Sequence, residues 1–328
     1  MGRFRKGDEM SKFASFAEYP PRSLAGAEAA LLTAWASLER FHDELVLVGG
    51  LAVKYLTTPG TGLLPGAVTM DVDLGVTLAD DGGQYGSLAD DLTGQGFKRD
   101  AHGRFVRQFE TMPVFIDFLT EHPTATSGTA SVDGIPAGVF PGVTRALVTR
   151  RKVQVEGRDL FGASQKAVLP VSGIGALLVL KLNAFAGWQQ PKDAYDILLA
   201  VSRSVDGPEA AIASFHAEAN ADNRGFKRAR ETLRQHILNS RQSGSLRSAG
   251  MRPSPKSSGL LLDRAAVTRA GTYTIPMAKV TGAKTELASL TAVEMVSDLG
   301  SRAGPSGSGG CSRTSSSTVF ACWYWINQ

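Results

Sequence analysis

Cysteine is nearly missing from this chain. Cys311 and Cys322 are its only two, and the first 238 residues have none. That excludes a disulfide framework and a thiolate zinc site from most of the molecule. Long hydrophobic runs are also scarce. The stretch GIGALLVLKL (173–182) is broken by Lys181 and falls short of the ~20 residues that a membrane span needs. The opening MGRFRKGDEMSKF lacks the apolar core of a secretory signal, and Lys6 stands where a myristoylation motif places Ser or Thr. The expectation is a cytoplasmic protein with no membrane partner. Several nucleotide and hydrolase signatures are absent too: no G-x-x-x-x-G-K-[ST], no H-E-x-x-H and no G-x-S-x-G occurs. GTGLLPG misses the dinucleotide fingerprint by one position and precedes a strand rather than a helix. His42, His102, His122, His216 and His236 are scattered without metal-ligand spacing.

A surplus of one charge sign is missing as well, once the chain is divided. The 328 residues carry a net +4, but ten Lys and Arg against four Asp and Glu lie from Asn239 onward, which leaves residues 1–238 at −2. The basic character therefore belongs to the tail and says little about a nucleic-acid surface on the rest. Hydrophobic residues make up 43% of the chain, enough for a globular core, and the length predicts two domains or one domain and a tail.

What is present alternates. LAGAEAALLTAWASLERF (24–41) reads as a helix. ELVLVGG (44–50) is a strand stopped by two glycines, and LAVKYL then starts a helix. A Gly-, Pro- and Thr-rich loop leads to the strand TMDVDLGV (69–76). A short helix closes on Gly94 and Gly96, a hairpin turns at Ala101–Gly103, and PVFIDFLTE is a further strand. RKVQVEG and KAVLPVS are two more strands, followed by four helices that end near Leu238. The predicted fold class is α/β in the α+β sense: a mixed sheet with a helical second lobe. The expected division is an N-terminal extension (1–23), a catalytic domain (24–131), a mainly helical lobe (132–238) and a low-complexity tail (239–328) whose Ser-, Gly-, Arg- and Thr-rich composition predicts disorder.

The chemistry centres on TMDVDLGV. Residues i and i+2 of a strand share a face, so Asp71 and Asp73 project together while Met70, Val72 and Leu74 point to a core. Adjacent carboxylates repel unless a cation sits between them, and oxygen-only donors favour a hard ion such as Mg²⁺. In PVFIDFL, Asp117 shares a face with Phe115 and Leu119, where a lone charge is costly. If the two strands are neighbours, three carboxylates converge, a set able to hold two cations ~3.5–4 Å apart around a phosphoryl transfer. Asp117 could equally pair with Arg104 or Arg107 on the hairpin. Gly49 and Gly50, at a strand-to-helix turn, offer backbone N–H groups to a phosphate.

With strand-Gly-Gly-helix, the D-x-D strand and the third Asp assembled, residues 44–121 resemble the polymerase-β-like nucleotidyltransferase superfamily. LKLNAFAGWQQPKDAYDILLA (180–200) is similar to the K…KDxxD region of the AbiEii/AbiGii-type nucleotidyltransferase toxins, which widens the likeness to 24–238. The resemblance implies a bilobal, Mg²⁺-dependent enzyme that takes a nucleoside triphosphate, modifies RNA such as tRNA, and is neutralised by an antitoxin protein. By position it assigns phosphate binding to Gly49 and Gly50 and metal binding to Asp71 and Asp73. It assigns triphosphate contact to Lys181, and the KDxxD motif to Lys192, Asp193 and Asp196, whose acids take structural or base roles. Ala67 and Val68 stand where the family often has an arginine, and the loop between Gly50 and Asp71 is long.

On residues alone, Lys181 breaks an apolar helix and needs an anionic partner or a path to solvent. Asp193 and Asp196, three apart near a helix start, also suit a simple N-terminal role, and Lys192 a solvated one. The basic run RGFKRARETLRQ, with Arg224, Lys227, Arg228, Arg230 and Arg234, suits an RNA backbone or plain solvation. The expected function is Mg²⁺-dependent transfer of a nucleoside monophosphate to an acceptor hydroxyl, on RNA as a toxin. The alternatives are transfer to a small molecule of the antibiotic type, and a silent nucleotide- or partner-binding module. Because the tail lacks any sustained period, a chain ending at Leu238 is expected to fold with an unchanged melting temperature and to keep its activity; loss of either would give the tail a role.

Overall fold

The computed structural model describes residues 19–20, 22–59, 66–77, 86–132, 134–238, 277–281 and 284–288. Nine strands form one mixed sheet. They are β1 (Leu45–Val48), β2 (Asp71–Val76), β3 (Lys98–Arg99), β4 (Phe105–Phe109), β5 (Met112–Thr120), β6 (Thr129–Val132), β7 (Ile135–Val139), β8 (Arg151–Arg158) and β9 (Ser164–Val171). The main path runs β3-β4-β5-β2-β1-β9-β8, with β7 pairing to the far end of β5 and β6 to β7. β2 lies antiparallel to β1 and parallel to β5, so the expected neighbourhood of the two Asp-bearing strands is formed.

Helices cover both faces. α1 (Ser23–Ser37) packs on β2, β5, β8 and β9, on the sheet face where Leu45 and Leu47 of β1 are buried with Val72, Leu74 and Ile116. α2 (Gly49–Leu56) leaves β1 directly, and α3 (Gly86–Gly94) precedes the β3–β4 hairpin. On the opposite face, α4 (Val143–Val148) and α5 (Ile174–Trp188) bury Val46 and Val48 with Val143, Ala146, Ala176 and Leu180. Gly75 of β2 belongs to this face: a Cβ there would press on Val46 and Val143. By alternation, Asp73 and Asp71 follow Gly75 along the same face to the N-terminal end of β2.

α5 then packs against α6 (Pro191–Ser202), α7 (Pro208–Ala217) and α8 (Phe226–Thr232). Pro191 and Pro208 each open their helix, where a missing N–H costs nothing. Residues 233–238 continue α8 as a π-helical turn. The expected elements from 24 to 238 are present. Two were not foreseen: α4, and the β6–β7 hairpin, which turns through Gly134 at a φ of 78°.

The boundary expected at 131/132 falls inside β6, and β7 to β9 join the same sheet as β1, so α5 to α8 make up the helical group. Of the tail expected to be disordered, the described part is an antiparallel pair, β10 (Met277–Thr281) and β11 (Lys284–Ala288); the rest of it, and residues 1–18, lie outside the described residues. No helix among the described residues is long and apolar enough to cross a membrane.

Candidate active site

The β2–β5 register sets Asp73 directly beside Asp117 and Asp71 beside Phe115. In a parallel pair, facing residues share a face, so the three carboxylates meet as expected. Asp71 is buried, 8% exposed, while Asp73 and Asp117 are half-buried. Burial, followed by the charges of Asp117 and Asp73, pushes the Asp71 carboxyl up to about 7, although Arg104 and Lys192 pull the other way. Asp117 is raised too, chiefly by burial, with Arg104 offsetting part of it.

Arg104 is what the sequence-based expectation underweighted. Its Nε donates to Asp117 Oδ1 at 2.7 Å, and its Nη2 donates to Asp117 Oδ2 at 2.7 Å and to Asp71 Oδ1 at 2.9 Å. The guanidinium lies over the Phe115 ring, 4.1 Å from its centre. The β3–β4 turn aims it. Asp100 Oδ1 accepts the backbone N–H groups of His102 and Arg104, and the Asp100 N–H returns to the Arg104 carbonyl. The antiparallel register of β4 on β5 pairs Phe105 with Ile116, so Arg104 comes level with Asp117. Burial works against the Arg104 charge, but the hydrogen bonds and charge of Asp117, then of Asp71, more than offset it and raise its pKa. The pairing with Arg104, open in the sequence as an alternative for Asp117, is realised; Arg107 instead donates to the Gln95 carbonyl.

Gly49 and Gly50 approach from the other side. Gly49 has a φ of 67°, the left-handed region that favours glycine. A Cβ on it would fall 1.8 Å from Asp73 Oδ2, so the missing side chain is what lets the carboxylate lie against the backbone. No side chain caps the start of α2. A Cβ on Gly50 would meet Thr69 at 2.8 Å and Lys192 Nζ at 3.2 Å. Thr69 in turn takes the Asp71 N–H on its Oγ1 at 3.2 Å and so helps set the start of β2.

The helical lobe supplies the floor. Lys181 and Lys192 each place Nζ 2.7 Å from Asp196 Oδ2, and Lys181 lies 3.7 Å from Asp193 Oδ1. Asp193 and Asp196 share a helix face, as three-residue spacing predicts. Lys192 is 4% exposed and Asp196 fully buried, which rules out the solvated reading of Lys192. Burial works against the Lys192 charge, but Asp196, Asp193 and then Asp73 raise its pKa. Lys192 is therefore the cation next to Gly50 and within reach of the Asp73 charge. Lys181, expected at the triphosphate, is turned to Asp196 and Asp193. Gly49, Gly50, Asp71, Asp73, Asp117, Lys181, Lys192, Asp193 and Asp196 are thus linked through β2, β5, the start of α2, α5 and α6, while the basic run of α8 lies apart from them.

The donor set fits a divalent cation in part. Among the described residues, no three His, Cys, Asp or Glu side chains are placed to hold a metal ion together, because Arg104 stands between Asp71 and Asp117. The expected three-carboxylate ligand set is therefore not formed. The pair that fits is Asp71 and Asp73. It offers oxygen donors only, on one strand face, and the Asp73 carboxylate has no hydrogen-bond or ion-pair partner among the described residues. Mg²⁺ commonly takes one or two carboxylates and completes its shell with water and substrate phosphates.

No family model matches the chain, and no curated protein does. Among solved structures, the antibiotic-resistance factor ANT(2'')-Ia, studied for its substrate-regulated conformation dynamics, is similar at 13% identity and a TM-score of 0.32. The match covers 58% of this chain and 92% of that one. A likeness that loose carries no weight for chemistry, which rests on the side chains above.

Two outcomes follow from this geometry. Gly49→Ala should cost about 1–2 kcal/mol for the left-handed backbone alone and displace Asp73 besides, read as a lowered denaturant midpoint. Asp71 gives a pH signature. It ionises near ~3.9 in the unfolded chain and only at about 7 in the fold, so between those values the folded state holds the extra proton. Without divalent metal, stability should therefore fall as pH rises from about 4 to about 7. Asp71→Asn should flatten that fall and melt higher than the parent protein at pH 8; a parent melting temperature that climbs through this window relative to Asp71→Asn would contradict the assignment.

Proposed function

We propose that the chain is a nucleotidyltransferase that moves a nucleoside monophosphate from a triphosphate to an acceptor hydroxyl. The observation that carries this reading is the meeting, from separate chain segments, of the Asp71–Asp73 pair, the uncapped glycine turn at Gly49–Gly50 and the buried Lys192. Anion-binding N–H groups beside a carboxylate pair suit a triphosphate with its cation. When bound to Asp71 and Asp73, Mg²⁺ would supply charge neutralisation for the transferred phosphoryl group.

The protein's own residues do the rest. Gly49 and Gly50 offer backbone donors where a side chain would block approach. Lys192 sets a positive charge under that turn, and Asp196, which also pairs with Lys181, holds Lys192 in place. Asp117, with both oxygens taken by Arg104, is not free to act as a base. In the transfer, the acceptor oxygen bonds to the α-phosphorus, pyrophosphate leaves, and the hydroxyl proton passes to water.

For the acceptor we favour RNA. Arg224, Lys227, Arg228, Arg230 and Arg234 of α8 and its flanks are all exposed, a basic face that suits a phosphate backbone. The toxin role and a neutralising protein partner rest on the family resemblance. Incubation with Mg²⁺, each labelled triphosphate, and total RNA or small hydroxyl compounds tests the reading. Label on RNA is the expected result, and label on a small compound would redirect the acceptor. Binding without transfer would leave a silent module. Asp73→Ala should keep the circular dichroism spectrum and lose at least about 100-fold in transfer rate; full activity in that variant would overturn the mechanism.

A further inference from the structure

We infer that Arg104 is a built-in counter-ion that competes with the divalent cation for Asp71, and that Asp117 is the seat of this arginine rather than a metal ligand. The inference rests on the reading of Asp71 and Asp73 as the metal-binding pair and adds what contends with the ion for Asp71.

Arg104 makes two kinds of bond in the site. Toward Asp117 it is a fork: Nε and Nη2 reach the two oxygens, each at 2.7 Å. Bidentate pairing of this sort is the strong and directional form of the arginine–carboxylate bond. Toward Asp71 it offers a single, longer bond from Nη2, at 2.9 Å. Nothing else that holds the arginine depends on the Asp71 carboxylate, although Phe115 is the strand neighbour of Asp71. Its plane rests on Phe115, and its backbone is tied to Asp100 on both its N–H and its carbonyl. The anchor and the reaching hand are therefore different parts of one side chain.

The charges explain why the hand reaches. Asp71, Asp73 and Asp117 face the same space, with Arg104 above and Lys192 behind. The Arg104 fork occupies both oxygens of Asp117 and Lys192 is bonded to Asp196, so negative charge is left in excess beside Asp73, whose carboxylate has no hydrogen-bond or ion-pair partner of its own among the described residues. A divalent ion placed on Asp71 and Asp73 would neutralise that excess and at the same time repel the guanidinium beside it. The weaker Nη2–Asp71 bond is the one that gives way, while the fork to Asp117 stays. Metal and arginine thus share Asp71 by exclusion. The arginine offsets the repulsion within the pair and sets a threshold that the ion must exceed.

The test is Mn²⁺ and Mg²⁺ binding to the full chain, by calorimetry and by Mn²⁺ paramagnetic resonance, with melting curves to confirm folding. Arg104→Gln should bind Mn²⁺ about tenfold tighter than the parent, within the usual range for coupled sites. Adding Asp117→Asn should leave binding at or above the parent's affinity, because the pair removed is neutral and holds no ligand. Unchanged or weaker binding in Arg104→Gln, or abolition by the added Asp117→Asn, overturns the competition. Adding Asp71→Asn to Arg104→Gln should abolish binding. Binding that survives it puts the ion elsewhere, and then the metal pair itself fails along with this inference.

The unsubstituted protein gives an independent reading that does not depend on a variant folding. In arginine side-chain nitrogen spectra, saturating Mg²⁺ should shift the Arg104 Nη2 signals and spare the Nε proton bonded to Asp117. Nη2 signals that do not move would overturn the inference.

Discussion

Carboxylates of like charge on one buried sheet face are the constraint around which this molecule is arranged. Bringing Asp71, Asp73 and Asp117 together is costly in a medium of low polarity: burial first, and then the neighbouring carboxylates, raise the Asp71 pKa. Each cation nearby answers that cost from a different direction. Arg104 comes over the sheet from the β3–β4 turn, and Lys192 comes up from α6. Neither could be aimed without the surrounding fold. The arginine needs the Asp100 turn and the β4–β5 register, and the lysine needs Asp196, itself fully buried, to hold it.

The backbone is shaped to the same end. β1 runs into α2 through Gly49 with no loop, so the first turn of the helix stands over Asp73. Because β1 and β2 are antiparallel, Val48 pairs with Asp73, and the end of one strand meets the acidic part of the other. The parallel β2–β5 pairing then carries Asp117 level with Asp73. A one-residue slip in either ladder would turn the carboxylates into the core under α1, where Val72, Leu74 and Ile116 are now packed. The apolar residues that fill that face therefore hold the acidic face in register.

Much of this was legible in the sequence, for reasons that can be named. Strand alternation alone put Asp71 with Asp73 and Asp117 with Phe115, and three-residue helical spacing put Asp193 with Asp196. Paired glycines after a β-rich run marked the turn into α2. The β6–β7 hairpin was harder to see because Pro136 and Gly138 interrupt any alternation, although the Asp-Gly dipeptide at 133–134 is itself a two-residue turn signal. α4 is only six residues long and buries Val143, Ala146 and Leu147, too short a stretch for a period to show. The grip of Arg104 was visible only as one option, since choosing it over Arg107 requires the β4–β5 register. The burial of Lys192 depends on how α6 packs against α2 and α5, which no local pattern records.

The two sources of positive charge differ in permanence, and this difference separates framework from chemistry. Lys181 and Lys192 sit beneath the site with Asp193 and Asp196, two positive charges against two negative ones, all nearly inaccessible. Removing one member of such a set leaves a buried charge uncompensated, a loss of about 3–5 kcal/mol, so these four are bound to stay as they are. Arg104 is more exposed than any of them, and only one of its bonds reaches Asp71. Compensation from below is thus part of the folded framework, and compensation from above can be exchanged. A site that must admit a cation and a polyanion together needs both kinds: a floor that does not rearrange when charge arrives, and an upper partner that can yield to it.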